Sequence, residues 1–169
     1  MASPLEYFQD PDKTTETRSP DGPMATVRDV GYLDAEGYLY FTDRATFMII
    51  SGGVNVYPRE CENLLITYPK VADGAVFGVP NEDMGEEVQA VIQPTPGVEP
   101  GPALAAELIA FCRAQLAGVK CPRSADFGVE LSRLPTGKLY KRLPRDRYWA
   151  TVRAGSSERP ASRRLTSRD

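Results

Sequence analysis

Apolar residues in this chain gather in short runs, each closed by glycine, proline or a cluster of polar residues. Residues 29–50 read as β-structure. "VGYL" and "YLYFT" flank "DAEG", a turn with Gly37 at its end, and together they predict a hairpin. "ATFMII" is a third short run, and "SGGVN" breaks it. Pro58 then opens a helix at a position where its missing N–H costs nothing, with Glu60 and Glu62 near the positive end of the helix dipole. Cys61, Leu64, Leu65 and Tyr68 fall at i, i+3, i+4 and i+7, a core-facing stripe. "GAVFGVP" and "EVQAVIQ" read as two strands joined by the acidic loop "NEDMGE". A Pro/Gly linker over 94–102 leads to a second helix over 103–117, with Leu104, Leu108, Cys112 and Leu116 on one face. "ADFGVEL" fits a last strand, and residues 141–149 a last helix. This order predicts an α+β fold: a small β-hairpin, then a compact sheet of about three strands packed with two to three helices.

Residues 1–28 are polar and Pro-rich and read as a leader or linker with little core. The end, "TVRAGSSERPASRRLTSRD", carries arginines among Ser, Gly and Pro, which predicts a disordered tail over 150–169.

Composition narrows the chemistry. With 169 residues, 41% hydrophobic and 25% charged, the chain has the make-up of a globular domain. A net charge of −3 gives no broad electrostatic case for nucleic acid. No window approaches the ~18 apolar residues of a membrane span, and the N-terminus has no apolar run of a signal peptide. Cys61, Cys112 and Cys121 lack CxxC spacing, which points to core thiols in a reducing, cytoplasmic setting. There is no histidine, so His-based acid–base catalysis, Ser-His-Asp and Cys-His arrangements and most zinc sites are excluded. No metal-ligating residues are singled out.

Three groups could carry chemistry. In "LPTGKLYKR", Gly137 lets the backbone approach a ligand and Lys138 offers a compact positive charge to a phosphate or carboxylate. Taken alone, Thr-Gly-Lys is a weak signal and more often an ordinary surface turn. In "ISGGVNVYP", Gly52 and Gly53 leave backbone N–H groups for a polar ligand, or merely make a flexible strand-to-helix connection. Asp29 and Arg44 bracket the hairpin and suit a ribose diol; an exposed ion pair worth about 0–1 kcal/mol is the plainer alternative.

These stretches follow one another in a recognisable order. "DVGYLDAEGYLYFTDRATFMIISGGVNVYPRECEN", "VFGVPNEDMGEEVQAVIQ" and "LAGVKCPRSADFGVELSRLPTGKLYKR" strongly resemble the C-terminal domain of AMP-forming acyl-CoA synthetases, the fatty-acid–CoA ligase branch of the adenylate-forming enzymes. The resemblance implies a domain over 29–149, with 1–28 leading from a larger N-terminal adenylation domain. It implies a lid that rotates between adenylation and thioester formation, with ATP/AMP, coenzyme A and Mg²⁺ as cofactors, the Mg²⁺ held mainly by the N-terminal domain. Lys138 matches the adenylation lysine, Asp29 and Arg44 the nucleotide-ribose contacts, and Gly52 and Gly53 the loop on the coenzyme A side. Arg44, Ala45 and Thr46 match the hinge. Thr46 departs from the usual Asp or Lys there, Arg28 from a common Gly, and Ser132 from a usual Pro. The isolated chain, with no "TSGTTG"-like ATP loop or acyl pocket, is expected to be inactive alone and to self-associate through its exposed lid face. A stand-alone module that binds coenzyme A or a nucleotide is the alternative. An interaction protein acting through the arginine-rich tail is a third.

Overall fold

The computed structural model of the chain describes residues 6–19 and 24–153. The chain divides into two compact units, one ending at Thr46 and the other beginning at Phe47. The division falls inside the expected 29–149 span.

In the first unit a helix, α1 (Pro11–Thr17), forms where the polar leader was expected. Its start is chemically specified: the Asp10 carboxylate accepts from the Lys13 N–H at 3.0 Å, and Pro11 takes a first-turn position. Strands β1 (Asp29–Leu33) and β2 (Leu39–Arg44) make the predicted hairpin, with Asp29 opposite Arg44 and Tyr32 opposite Tyr40. The Asp34 side chain closes the turn, accepting from the amides of Tyr38 at 2.9 Å and Glu36 at 3.0 Å. The Tyr38 amide, first among these donors, holds the Asp34 carboxyl below its ordinary pKa. Rings of Tyr32 and Tyr40 stack at 5.3 Å. Leu33, Tyr38, Leu39 and Phe41 are exposed as well, so this hairpin is apolar but uncovered.

The second unit is built on a five-stranded sheet. β3 (Ile49–Ser51) and β4 (Val54–Val56) form a hairpin, and β3 joins the sheet where Ser51 pairs with Gly85. β5 (Val71–Asn81) and β6 (Gly85–Pro94) run antiparallel along their length. β7 (Ser124–Phe127) lies parallel to β6. The α+β class stands, and the sheet has five strands rather than about three. The extra pair comes from residues 49–56: Ile49–Ser51 continues the β-structure expected over 29–50, and two glycines fold back Val54–Val56, which reads in sequence as a connection to the next helix.

Both faces of the sheet are covered, which explains the nearly continuous apolar runs in β5 and β6. On one face Val76, Val88, Ala90 and Ile92 meet α2 (Pro58–Leu65) and α3 (Pro102–Arg113) through Cys61, Leu65, Leu104, Leu108 and Cys112. Fully buried Leu65, Leu108 and Ile92 contribute about 1.5–3 kcal/mol each. On the other face Ala75, Phe77, Val79 and Val91 pack with Leu131 and with Tyr148 of α4 (Arg142–Arg153). The indole N–H of Trp149 donates to the Gly78 carbonyl at 3.2 Å, fixing α4 to β5. The predicted stripe on α2 holds, with Leu64 and Tyr68 half-buried at its edge. α4 runs on to Arg153, and the rest of the expected tail, 154–169, lies outside the described residues.

Candidate functional site

Residues 131–141 fold as a narrow loop whose Leu131 and Leu139 pack on the sheet face that carries Phe77, and which ends at the buried Lys141. Leu131 and Lys141 are buried, and everything from Ser132 to Lys138 is exposed. Pro135 and Thr136 occupy the middle of a turn in which the Gly137 N–H donates to the Leu134 carbonyl at 2.8 Å. The Leu134 N–H donates to the Lys138 carbonyl at 2.8 Å, and Arg133 pairs with Leu139 across the loop. Gly137 has φ +79°, a conformation that L side chains rarely adopt. The sequence "LPTGK" therefore yields a tight reversal whose next residue is Lys138. Among the described residues no hydrogen bond or ion pair engages the Lys138 ammonium, which stands exposed.

Two basic residues near it in the chain are tied down. Lys141 donates to both carboxylate oxygens of Glu62, at 2.7 and 2.8 Å, and both side chains are over nine-tenths buried. The Glu62 Oε1 also accepts from the Val76 N–H at 2.8 Å, and the Lys141 ammonium lies 5.2 Å from the Phe47 ring centre. Arg133 donates through Nη1 to the Gly137 carbonyl at 2.7 Å and pairs through Nη2 with the Asp73 carboxylate on β5. Sequence reading gave none of Lys141, Glu62, Arg133 and Asp73 a role at the site. Glu62 looked like a helix-dipole residue. The available signal was that it lies beside Cys61 and three residues before Leu65, on the face that meets the sheet.

Gly52 and Gly53 form the two-residue tip of the β3–β4 hairpin, with φ +56° and +78°. Consecutive positive φ values identify the hairpin turn that twists with its strands, and glycine is the residue it favours. The tip is held from below, because the Gly52 N–H donates to the Met84 carbonyl at 2.8 Å. That amide is therefore already used, contrary to the expectation that both glycines leave their N–H groups uncovered. A Cβ on Gly52 would lie 2.6 Å from Met84 Cε, whereas Gly53 faces open space. The Met84 carbonyl is itself placed by Asn81, whose Oδ1 accepts from the amides of Asp83 and Met84.

In the first unit the structure brings Asp29 and Arg44 together: Nε of Arg44 lies 3.1 Å from Oδ1 of Asp29, and the Asp29 side chain is 29% exposed. Ala45 and Thr46 continue from Arg44 into a short 3-10 turn, with the Ala45 N–H donating to the Arg28 carbonyl at 2.9 Å. Arg28 has φ +60°, so arginine here holds the left-handed backbone that the commoner glycine takes freely. The first unit ends at Thr46.

With this geometry in place, comparison with known proteins is decisive. Residues 60–138 match the family described as AMP-binding enzyme C-terminal domain. Those residues carry the domain of that family. It is 46% identical over 143 residues to a methyl-dioxo-octahydroindenyl-propanoyl:CoA ligase of Rhodococcus jostii RHA1, covering 84% of this chain and 27% of that protein. Among solved structures it resembles ATP-bound MatB of Rhodopseudomonas palustris, with TM-score 0.75 and 34% identity over 84% of this chain and 27% of that one. It also resembles o-succinylbenzoate CoA synthetase of Bacillus subtilis in complex with its acyl-adenylate intermediate, with TM-score 0.71 and 32% identity over 83% of this chain and 28% of that one. The chain thus spans little more than a quarter of the length of these relatives.

Among the described residues no group of three or more His, Cys, Asp or Glu side chains could hold a metal ion, and no helix is long and apolar enough to cross a membrane. Cys61, Cys112 and Cys121 are free and buried, with Sγ of Cys61 and Cys112 3.9 Å apart. Contact with Cys112 and burial push the Cys61 thiol pKa well above its ordinary value.

Proposed function

We propose that this chain is the mobile lid of an AMP-forming carboxylic acid–CoA ligase, working with an N-terminal adenylation domain. In the first half-reaction a carboxylate attacks the α-phosphate of ATP and pyrophosphate leaves. In the second, the thiol of coenzyme A displaces AMP. Lys138 supplies a positive charge where negative charge builds up between carboxylate and α-phosphate, the kind of contribution usually worth about 3–4 kcal/mol. Asp29 and Arg44 hold the nucleotide ribose. The hinge at Arg44, Ala45 and Thr46 then swings the lid, and the Gly52–Gly53 tip comes to coenzyme A.

The single observation that carries this reading is the Lys138 ammonium, exposed and without a partner among the described residues at the end of a tight turn, while Arg133 and Lys141 near it in the chain are both engaged. A lysine that only solubilised a surface would not call for so constrained a support. Several further features support it. The first unit ends at Thr46, the last of the hinge residues. The uncovered aromatic hairpin at 32–41 suits burial against a larger domain. The reading leaves Mg²⁺ mainly with the N-terminal domain. Three buried free thiols suit a reducing, cytoplasmic setting. Fatty acids are one acid class that fits, and the pocket that would measure the acid belongs to the adenylation domain.

The test is to join this chain to the adenylation domain of a relative and change Lys138→Ala. Acid-dependent pyrophosphate exchange should fall by about 10²–10³-fold. Thioester formation from supplied acyl-adenylate should stay near its starting rate. Equal losses in both half-reactions would refute the role given to Lys138.

A further inference from the structure

We infer that Arg133, anchored on Asp73, is a positioning residue for Lys138; the inference rests on the reading of Lys138 just given. An ammonium without partners among the described residues is not aimed by side-chain contacts there, so its direction is set by the backbone that carries it. The peptide joining Gly137 to Lys138 is the last rigid plane before that side chain. Its carbonyl is gripped by Arg133 Nη1 at 2.7 Å. The same guanidinium pairs through Nη2 with Asp73. Asp73 in turn belongs to β5, where it pairs with Gln93 of β6, and its Oδ1 accepts from the Gly74 N–H at 2.8 Å. The Asp73 side chain is 17% exposed, so the anchor is much better buried than the half-exposed arginine it holds.

The chain of contacts thus runs from a paired strand through one planar side chain to the peptide that presents the lysine. The turn's own backbone bonds, Gly137 to Leu134 and Leu134 to Lys138, fix its shape but not its tilt against the sheet. Leu139 packs against the sheet on the far side of Lys138, and Arg133 adds a polar constraint at the peptide that precedes it. Arginine is suited to it because a planar fork can hold two acceptors at a set angle, which the single ammonium of lysine cannot. Displacing a catalytic charge by ~1 Å can cost about 10²-fold in rate, so a support of this kind has catalytic consequence without touching substrate.

Two measurements test it. In the chain itself, Arg133→Met should speed tryptic cleavage after Lys138 by about tenfold or more, with an unchanged urea midpoint by Trp149 fluorescence. An unchanged cleavage rate overturns the inference. In the enzyme completed with the Rhodococcus jostii adenylation domain, Arg133→Met and Arg133→Lys should each lower kcat for pyrophosphate exchange by about 10–100-fold. KM for ATP and the rate of thioester formation from supplied acyl-adenylate should change by less than about twofold, since uniform binding is not affected. In a Lys138→Ala background, Arg133→Met should cause no further loss, as expected of groups acting as one. A loss for Lys138→Ala with none for Arg133→Met, or multiplied losses in the double variant, overturns the positioning role and leaves the lysine's role standing. No loss for Lys138→Ala overturns both.

Discussion

Replacing Lys141 by methionine should unfold the second unit far more readily than any change to Lys138. Lys141 and Glu62 are 8% and 6% exposed in their side chains, and the ammonium lies 2.7 Å from Oε1. Methionine keeps most of the volume and removes the charge, so the buried Glu62 carboxylate loses its close ammonium and keeps only the Val76 amide and a 3.9 Å contact with the largely exposed Arg59. Breaking one side of a buried pair costs about 3–5 kcal/mol, because the remaining charge has lost the compensation for its desolvation. A domain stability of about 5–15 kcal/mol makes that a large fraction of the whole. With a urea slope of about 1–3 kcal/mol/M the midpoint should fall by roughly 2 M. Trp149 is the sole tryptophan and bonds to Gly78 on β5, so its fluorescence reports this unit. Glu62→Gln in the same background removes the stranded charge and keeps an oxygen for the Val76 N–H. The double variant should therefore regain most of the loss, since neutral replacement of a whole buried pair is often close to neutral in stability. A Lys141→Met penalty below about 1 kcal/mol, or a double variant no more stable than the single, would refute the claim that this pair is a desolvated unit.

Two other outcomes follow from single observations. Arg28→Gly should raise the thermal midpoint slightly: relief of a left-handed arginine, about 1–2 kcal/mol, exceeds the flexibility cost of glycine, about 0.5–1 kcal/mol, and the exposed pair with Glu16 contributes little; a lowered midpoint in a thermal melt would show that the pair outweighs the backbone. The Lys70 ammonium and the Tyr68 hydroxyl donate to Glu107 and hold its carboxyl below the ordinary value of 4.5, so its contribution is complete above that value and is lost as pH falls through the lowered one; urea midpoints of wild type and Glu107→Gln should converge between about pH 7 and pH 3, and a constant gap would contradict the linkage.

Much of the second unit was legible because its signals are local. Period-four apolar spacing from Leu104 to Cys112, Pro58 at a helix start and the paired runs over 74–80 and 87–93 each specify an element without knowledge of the rest. β3 continues the stretch over 29–50 that reads as β-structure, but its partner β4 was not legible: Val54–Val56 is three residues, too short for alternation to register, and only the chain reversal at Gly52–Gly53 makes it a strand. Helix α1 was missed for a related reason: "PDKTTET" has no apolar stripe, and its start is set by Asp10 and Pro11 alone.

The candidate site divides along the same line. Gly137–Lys138 and the Asp29–Arg44 pair were visible as residue types in a motif, and the structure adds the positive φ of one and the 3.1 Å contact of the other. What sequence could not give is the support, because it joins residues far apart in the chain. Asp73 meets Arg133 across 60 positions and Glu62 meets Lys141 across 79. Neither pairing leaves a period, a spacing or a composition bias; each exists only because β5 and α2 pack where the loop's two ends arrive. The two supports also differ in burial, and that difference sorts their roles. The deep pair at Lys141 sets whether the loop has a root at all, so its loss is read as stability. The half-exposed pair at Arg133 contributes little to folding, so its loss should be read in the aim of Lys138 and in the adenylation rate.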